Sequence, residues 1–178
     1  MRAPRFQEDG NRRAIAQMVA TWSRGGGVLP RWMGLSSARF RDMLGYYFTR
    51  RSGIGPARSH HALPADLVSE RDDLRRLLLS YRARTSRSEI WIADIISAGC
   101  LGDAHLWHDL GLASRAELSA LIQRNFPRLH ARNTRNMRWK KFFYKRLCED
   151  EGLYICRSPS CEVCPDYSKC FNPDDVGS

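Results

Sequence analysis

The sequence predicts an all-α protein: a single helical domain of 178 residues with an irregular, cysteine-rich, metal-cluster loop at its C-terminus. Two observations favour this class. Apolar residues recur at helical spacing through the first 151 residues, and no run alternates apolar and polar residues over the length of a strand. After Gly152 the helical period stops, and Cys, Pro, Ser and Asp predominate. We therefore divide the single domain into a helical body, residues 1–151, and a cysteine-rich tail, residues 152–178.

The first two helices are predicted from apolar stripes at residues 11–24 and 37–49. The stripes consist of Ala14, Ile15, Met18, Val19 and Trp22, and of Phe40, Met43, Leu44 and Tyr47. Three successive glycines, residues 25–27, end the first helix. The basic segment 50–64 lacks this periodicity and predicts a loop or linker.

Capping boxes predict the starts of the next three helices, because a hydroxyl and an acid three residues later can satisfy each other's backbone amides. The pairs are Ser69 with Asp72, Ser86 with Glu89, and Ser114 with Glu117. The helices should extend to about residues 82, 100 and 125, and Pro127 should end the third. A last helix is predicted over residues 134–151, with Gly152 as its stop.

The overall charge and hydropathy exclude a membrane protein. The formal net charge is +10, which indicates an acidic partner or an anionic ligand. The N-terminus has no apolar region typical of a secretory signal. The longest apolar stretch, residues 90–101, contains Asp94 and is too short to span a bilayer. We expect a soluble, cytoplasmic protein.

Four of the six cysteines lie within fifteen residues in a C-x4-C-x2-C-x5-C pattern: Cys156, Cys161, Cys164 and Cys170. In a reducing compartment this density favours a metal site over disulfides. Thiolates suit zinc, copper(I) or an iron–sulfur cluster. Three unequal gaps within one loop favour the cluster, because zinc sites usually combine two separated short knuckles. A structural zinc ion remains the alternative.

The chain also has cysteines and histidines outside the loop. Cys100 and Cys148 fall on predicted helices and are expected to be buried, although Cys148 is near enough to act as an alternate ligand. His105 and His108 are three residues apart and would share a helix face, with Asp109 as a hydrogen-bonding partner. We treat them as weaker metal-ligand candidates, because neither has a carboxylate or cysteine at ligand spacing.

Residues 135–148 combine an apolar stripe with a basic face. The stripe consists of Trp139, Phe142, Phe143 and Leu147, and the basic residues include Arg138, Lys140, Lys141 and Lys145. An ordinary amphipathic helix with a solvated basic face would produce this pattern. Nucleic-acid binding is a second interpretation. Contact with an anion or partner, including stabilisation of a negatively charged cluster, is a third.

Several of these segments together resemble the NifQ family of nitrogen-fixation proteins. They are H-L-W-H-D-L-G-L at 105–112, N-F-P at 125–127, N-M-R-W-K-K-F-F-Y-K-R-L-C-E at 136–149, and the four-cysteine tail with C-F-N-P at 170–173. The resemblance is strong over the C-terminal half and weaker over residues 1–85. It departs at Asn172, where the family pattern has Gly; Asn is the next most tolerant residue for a positive φ.

The resemblance implies a function in molybdenum supply for the iron–molybdenum cofactor of nitrogenase. The protein would be a carrier and not an enzyme, with an iron–sulfur cluster on the four motif cysteines that takes up molybdenum. Its implied partners are molybdate or molybdenum, the nitrogenase cofactor-assembly scaffold and the nitrogenase iron protein, with neither a membrane nor nucleic acid. The family pattern usually has Gln at position 108, which leaves His105 as the better candidate for a secondary metal or molybdenum ligand.

Two other functions are compatible with the residues. A zinc-stabilised nucleic-acid-binding module would explain the positive charge, the basic aromatic helix and the four cysteines. A cluster that only transfers electrons would explain the cysteines alone. The sequence contains no nucleotide-binding glycine loop that would point to a redox enzyme.

Overall fold

A computed structural model describes residues 9–48, 54–55 and 62–150, and the regular structure within these ranges is entirely helical. The helices are α1 (Arg12–Ser23), α2 (Ser37–Tyr47), α3 (Val68–Ser80), α4 (Ser88–Gly99), α5 (Leu106–Asp109), α6 (Arg115–Asn125), α7 (Pro127–Arg132) and α8 (Trp139–Asp150). Short 3₁₀ segments, Arg31–Gly34 and Ala65–Leu67, precede α2 and α3. The all-α class is therefore confirmed for the described part of the chain, whereas the tail and most of the 50–64 segment lie outside it.

The first two predicted helices are confirmed, and their apolar stripes face the core. Ile15, Met18, Val19 and Trp22 of α1 are buried, as are all four stripe residues of α2. Ser36 caps α2, because its hydroxyl accepts a hydrogen bond from the Arg39 amide at 3.2 Å.

The three predicted capping boxes have different outcomes. Ser114 caps α6 as predicted, accepting from the Glu117 amide at 3.2 Å. At the start of α4 only the acid has its predicted role: the Glu89 carboxylate accepts from the Ser86 amide at 3.0 Å, but the helix begins two residues later. The prediction at Ser69 is wrong, because the preceding 3₁₀ segment leads directly into α3 one residue earlier.

Two short helices and one helix start differ from the predictions. Pro127 follows the end of α6 as expected, but it also begins α7, since proline fits the first position of a helix. Helix α5 was not predicted as a separate element. Helix α8 begins at Trp139 and not near residue 134, because Asn136 adopts a positive φ of 53° and ends the preceding turn.

Helix α4 forms the centre of the fold. Eleven of its twelve residues are buried, and these include the polar residues Ser88, Glu89 and Asp94 as well as its apolar ones. Helices α2, α3 and α5 and the Arg31–Gly34 turn pack against it, and α8 packs against α3. None of the described helices is long and apolar enough to cross a membrane.

A polar cluster joins the start of α1 to α2, α4 and α6. The carboxylate of Asp9 accepts hydrogen bonds from Ser88 at 2.6 Å and from the Tyr47 hydroxyl at 2.7 Å. Asn11 and Asn125 form a pair of reciprocal amide hydrogen bonds, each 2.9 Å long. Partial burial disfavours the charged form of Asp9, but hydrogen bonds from Ser88, Tyr47, the Asn11 amide and Ser86 together outweigh burial and hold its pKa below the ordinary value of 3.8.

We predict that Asp9→Asn lowers the free energy of unfolding at pH 7. The pKa of Asp9 is lower in the folded state than in the unfolded state. The carboxylate therefore stabilises the fold fully above the unfolded-state pKa of 3.8, and this stabilisation is lost as the pH falls through the folded-state pKa. The difference between wild type and variant should therefore shrink below pH 3.8 in urea unfolding experiments. Asp103→Asn, at an exposed loop residue, is the matched control. A difference that stays constant down to the lowest accessible pH would contradict the ionic role of Asp9.

Candidate functional site

The four motif cysteines lie in residues 151–178, outside the described residues. The described chain ends at Asp150, the last residue of α8, six positions before Cys156. Within the described ranges, no group of three or more His, Cys, Asp or Glu side chains is arranged to hold a metal ion. The ligand set Cys156, Cys161, Cys164 and Cys170 therefore stays a prediction from the sequence.

Helix α8, which leads into the tail, is far more buried than its sequence indicated. The predicted apolar stripe is confirmed, since Trp139, Phe142, Phe143 and Leu147 are all buried. However, Lys140 and Lys141 are also buried, at 9% and 8% exposure. The expectation of a solvated basic face is therefore wrong at these two positions.

Lys140 is held by a buried ion pair. Its ammonium group donates to the carboxylate of Asp109 and to the carbonyl oxygen of Gly102. Asp109 is fully buried and accepts a further hydrogen bond from the Ala104 amide at 3.2 Å. The pair connects α8 to α5 and to the loop after α4, and removing either partner would leave an uncompensated buried charge.

The remaining basic residues of this helix region have different surroundings. Lys145 lies 3.9 Å from Glu149, and the Arg146 guanidinium pairs with Glu149 and with Asp150, at 3.0 Å for the latter. Arg138, just before the helix, is exposed. The positive charge at the C-terminal end of α8 is therefore largely balanced by neighbouring acids. A role for Arg138, Lys140, Lys141 and Lys145 as anion or partner contacts stays a prediction.

His105 and His108 both contact the ring of Trp107. His105 is the exposed N-cap residue of α5 and stacks on Trp107, with ring centroids 6.5 Å apart and an interplanar angle of 12°. His108 meets the same indole edge-on, at 5.8 Å. Asp109 is the expected hydrogen-bonding partner of these histidines, but its described hydrogen bonds are with Lys140 and Ala104. The Nδ1 atom of His108 lies 3.9 Å from the Asp109 carboxylate. A metal-ligand role for His105 stays a prediction.

The two cysteines outside the loop are buried, as predicted. Burial raises the pKa of the Cys100 thiol to about 12, although the nearby Lys140 ammonium acts in the opposite direction. Cys100 is therefore a protonated core residue at neutral pH, and this makes it a suitable control for experiments on the motif cysteines.

The described fold and the sequence of the tail define an all-α protein that ends in a four-cysteine segment. The family model that matches this chain is NifQ, over residues 14–172, a range that includes all four motif cysteines. The chain belongs to the NifQ family, which is involved in nitrogen fixation.

Individual relatives agree with the family assignment. The chain is 42% identical to the protein NifQ of Azotobacter vinelandii over 90% of this chain and 87% of the relative. It is 41% identical to the protein NifQ of Klebsiella pneumoniae over 88% of this chain and 96% of the relative. A NifQ homolog from Sinorhizobium fredii is 40% identical over 78% of this chain and 60% of that protein. No solved structure matches the chain.

We predict that Lys140→Met lowers the free energy of unfolding by about 3–5 kcal/mol, because it leaves Asp109 buried without its counter-ion. Adding Asp109→Asn should recover part of this loss, since an amide oxygen can still accept from the Ala104 amide. Lys145→Met on the same helix is the control and should cost less than about 1 kcal/mol, because its pair with Glu149 is partly exposed. Equal losses at positions 140 and 145 in chemical denaturation would contradict this account.

Proposed function

We propose that this chain is a cytoplasmic iron–sulfur metalloprotein that binds molybdenum and donates it to biosynthesis of the iron–molybdenum cofactor of nitrogenase. It would be a metallochaperone and not an enzyme. The observation that carries the proposal is membership of the NifQ family over a range that includes the C-x4-C-x2-C-x5-C segment. The proposed cluster ligands are Cys156, Cys161, Cys164 and Cys170.

The chemistry of these donors suits the proposed metals. Four thiolates are soft ligands, which iron–sulfur clusters prefer and which tolerate molybdenum in a sulfide-rich environment. The described body supplies no competing ligand cluster. The cargo would therefore be bound by the four cysteines of the tail.

The charge of the chain supports docking to acidic partners. A net charge of +10 would attract a protein of opposite charge and increase the rate of encounter. The proposed partners are the cofactor-assembly scaffold and the nitrogenase iron protein, with molybdate as the source of the metal. Of the candidate contact residues, Arg138 and His105 are exposed and so accessible to a partner.

The first test is metal analysis of the full chain purified without oxygen. We expect a brown protein that contains iron and sulfide and takes up molybdenum when molybdate is supplied. Cys161→Ala should lose most of its iron and sulfide, because the cluster would lose one of the thiolates that hold its iron. Cys100→Ala is the matched control and should keep wild-type contents, since Cys100 is a buried core residue.

Two results would contradict the proposal. Normal iron and sulfide in Cys161→Ala would remove that cysteine from the ligand set. Failure of the molybdenum-loaded protein to restore cofactor assembly in an extract that lacks it would leave a cluster protein without the donor function.

A zinc-stabilised nucleic-acid-binding module is the second candidate, favoured by the high positive charge together with the four cysteines. It predicts a colourless protein with one zinc ion per chain that stays colourless after anaerobic iron–sulfur reconstitution. It also predicts DNA or RNA binding that weakens steeply with salt. The burial of Lys140 and Lys141 reduces the basic surface that this function would need on α8.

A further inference from the structure

A cleft beside α3 contains four arginines. It has a volume of about 600 Å³ and lies between α2, α3, α4 and the Arg31–Gly34 turn. Its charged lining residues are Arg39, Arg71, Arg75, Arg76, Asp72 and Asp94. None of these residues belongs to the cysteine segment or to the basic helix that the sequence singled out.

The arginines outnumber the acids that could neutralise them. Asp94 lies at the base of the cleft with its side chain 1% exposed, and one carboxylate serves two guanidinium groups, those of Arg39 at 3.1 Å and Arg75. Arg76 pairs with Asp73 beside the cleft, and Arg71 pairs with Asp72 at 3.0 Å. One positive charge therefore remains in excess when Asp73 is included, and a partly enclosed cleft intensifies the resulting field.

Arg71 is the best-placed donor for a ligand. Its side chain is four-fifths buried, and its terminal nitrogens contact the Gly34 carbonyl at 3.3 Å and Asp72 at 3.0 Å. Its Nε is buried and has no hydrogen-bond partner in the described structure. Because the Nε has almost no accessible surface, a ligand oxygen would contact Arg71 through the exposed fifth of its side chain, and the guanidinium would gain a partner for hydrogen-bonding capacity that the protein leaves incompletely used.

The backbone around the cleft is also arranged for an anion. The N-terminal end of α2 forms one wall, with Ser36 and Arg39 in the lining, and a helix N-terminus favours negative charge. The adjoining turn is strained: Trp32 and Met33 have φ values of 60° and 57°. This turn brings the Gly34 carbonyl to Arg71, so that the position of the arginine depends on backbone that is itself held against α4.

We propose that this arginine cleft binds a small tetrahedral oxyanion with two negative charges, the shared chemistry of sulfate, phosphate and molybdate. Guanidinium groups recognise such ions through paired, charge-assisted N–H···O bonds, which a monoanion with one acceptor edge forms less well. The cleft is larger than the ion, which would keep part of its hydration water. This site is separate from the cysteines and does not rest on the proposed cluster function.

The test is isothermal titration of the full chain with sulfate in a buffer free of other oxyanions, at constant ionic strength. We expect saturable binding of one sulfate per chain and much weaker binding of acetate. Arg71→Gln should weaken sulfate binding about tenfold, the effect of losing a charged hydrogen-bond donor. Arg13→Gln is the matched control with the same change in net charge, because Arg13 is 90% exposed and does not line the cleft. The Arg13→Gln variant should bind sulfate with the same affinity as the wild type.

A gain-of-affinity variant keeps the proposal falsifiable even if Arg71→Gln folds poorly. Asp72→Asn removes a half-exposed carboxylate that competes for Arg71, so sulfate should bind several-fold more tightly. Unfolding cannot produce this result. No saturable binding by the wild type, equal loss of affinity in Arg13→Gln and Arg71→Gln, or unchanged affinity in Asp72→Asn would each overturn the proposal.

Competition between the ions distinguishes the sources of the ligand. If molybdate displaces sulfate from the wild type with equal or higher affinity, the cleft can accept the oxyanion of the proposed cargo. If phosphate displaces sulfate and molybdate does not, the cleft binds another oxyanion, and the inclusion of molybdate among its ligands is overturned. The result is independent of metal analysis, because sulfate binding should persist in Cys161→Ala whether or not that variant retains a cluster.

Discussion

The fold of the described residues depends on hydrogen-bond and ion-pair partners for the polar side chains that α4 buries in the core. This helix is buried on nearly all sides, yet it contains Ser88, Glu89 and Asp94. Each carboxylate is compensated from a different direction: Glu89 by the backbone amides of residues 84–86, and Asp94 by two arginines. Because an unpaired buried charge costs several kcal/mol, these partners must be in place for the chain to fold around α4.

This requirement explains why arginines converge where they do. Arg39 comes from α2 and Arg75 from α3, and both reach the same buried carboxylate. Arg71 lies four residues before Arg75 on α3, so helical spacing brings it to the same cleft, which Arg76 also lines. A concentration of positive charge thus arises from the packing of the core, and the one positive charge that Asp72, Asp73 and Asp94 do not balance is available to a ligand.

The sequence predicted the long elements well and the short ones poorly. Helices α1, α2 and α6 have strong local signals, an apolar stripe or a capping box, and their bounds agree with the structure to within one or two residues. Helix α5 has only four residues and α7 six, too few for a periodic pattern to appear. The late start of α8 depends on Asn136, whose positive φ is a local backbone choice that its residue type permits but does not require.

The candidate site was predictable only where its chemistry is local in sequence. The cysteine spacing and the basic aromatic helix are visible because their residues are close together along the chain. The burial of Lys140 could not be predicted from the sequence, because its counter-ion Asp109 is 31 residues away and only the tertiary fold brings the two residues together. The arginine cleft could not be predicted from the sequence for the same reason. The spacing of Arg71 and Arg75 is typical of an exposed helix face, and only the tertiary fold brings Arg39 and Asp94 next to them.

Gly34 limits how this region of the protein can change during evolution. Its φ is +84°, and a Cβ at this position would lie 2.5 Å from the Cβ of Ala98 on α4. Replacing Ala98 with a smaller residue would relieve the contact but not the backbone conformation, so no single compensating change can make room for a side chain here. Relatives that share this turn should therefore keep glycine at position 34 even where residue 98 varies, and its loss would mark lineages in which the wall of the cleft has been rebuilt.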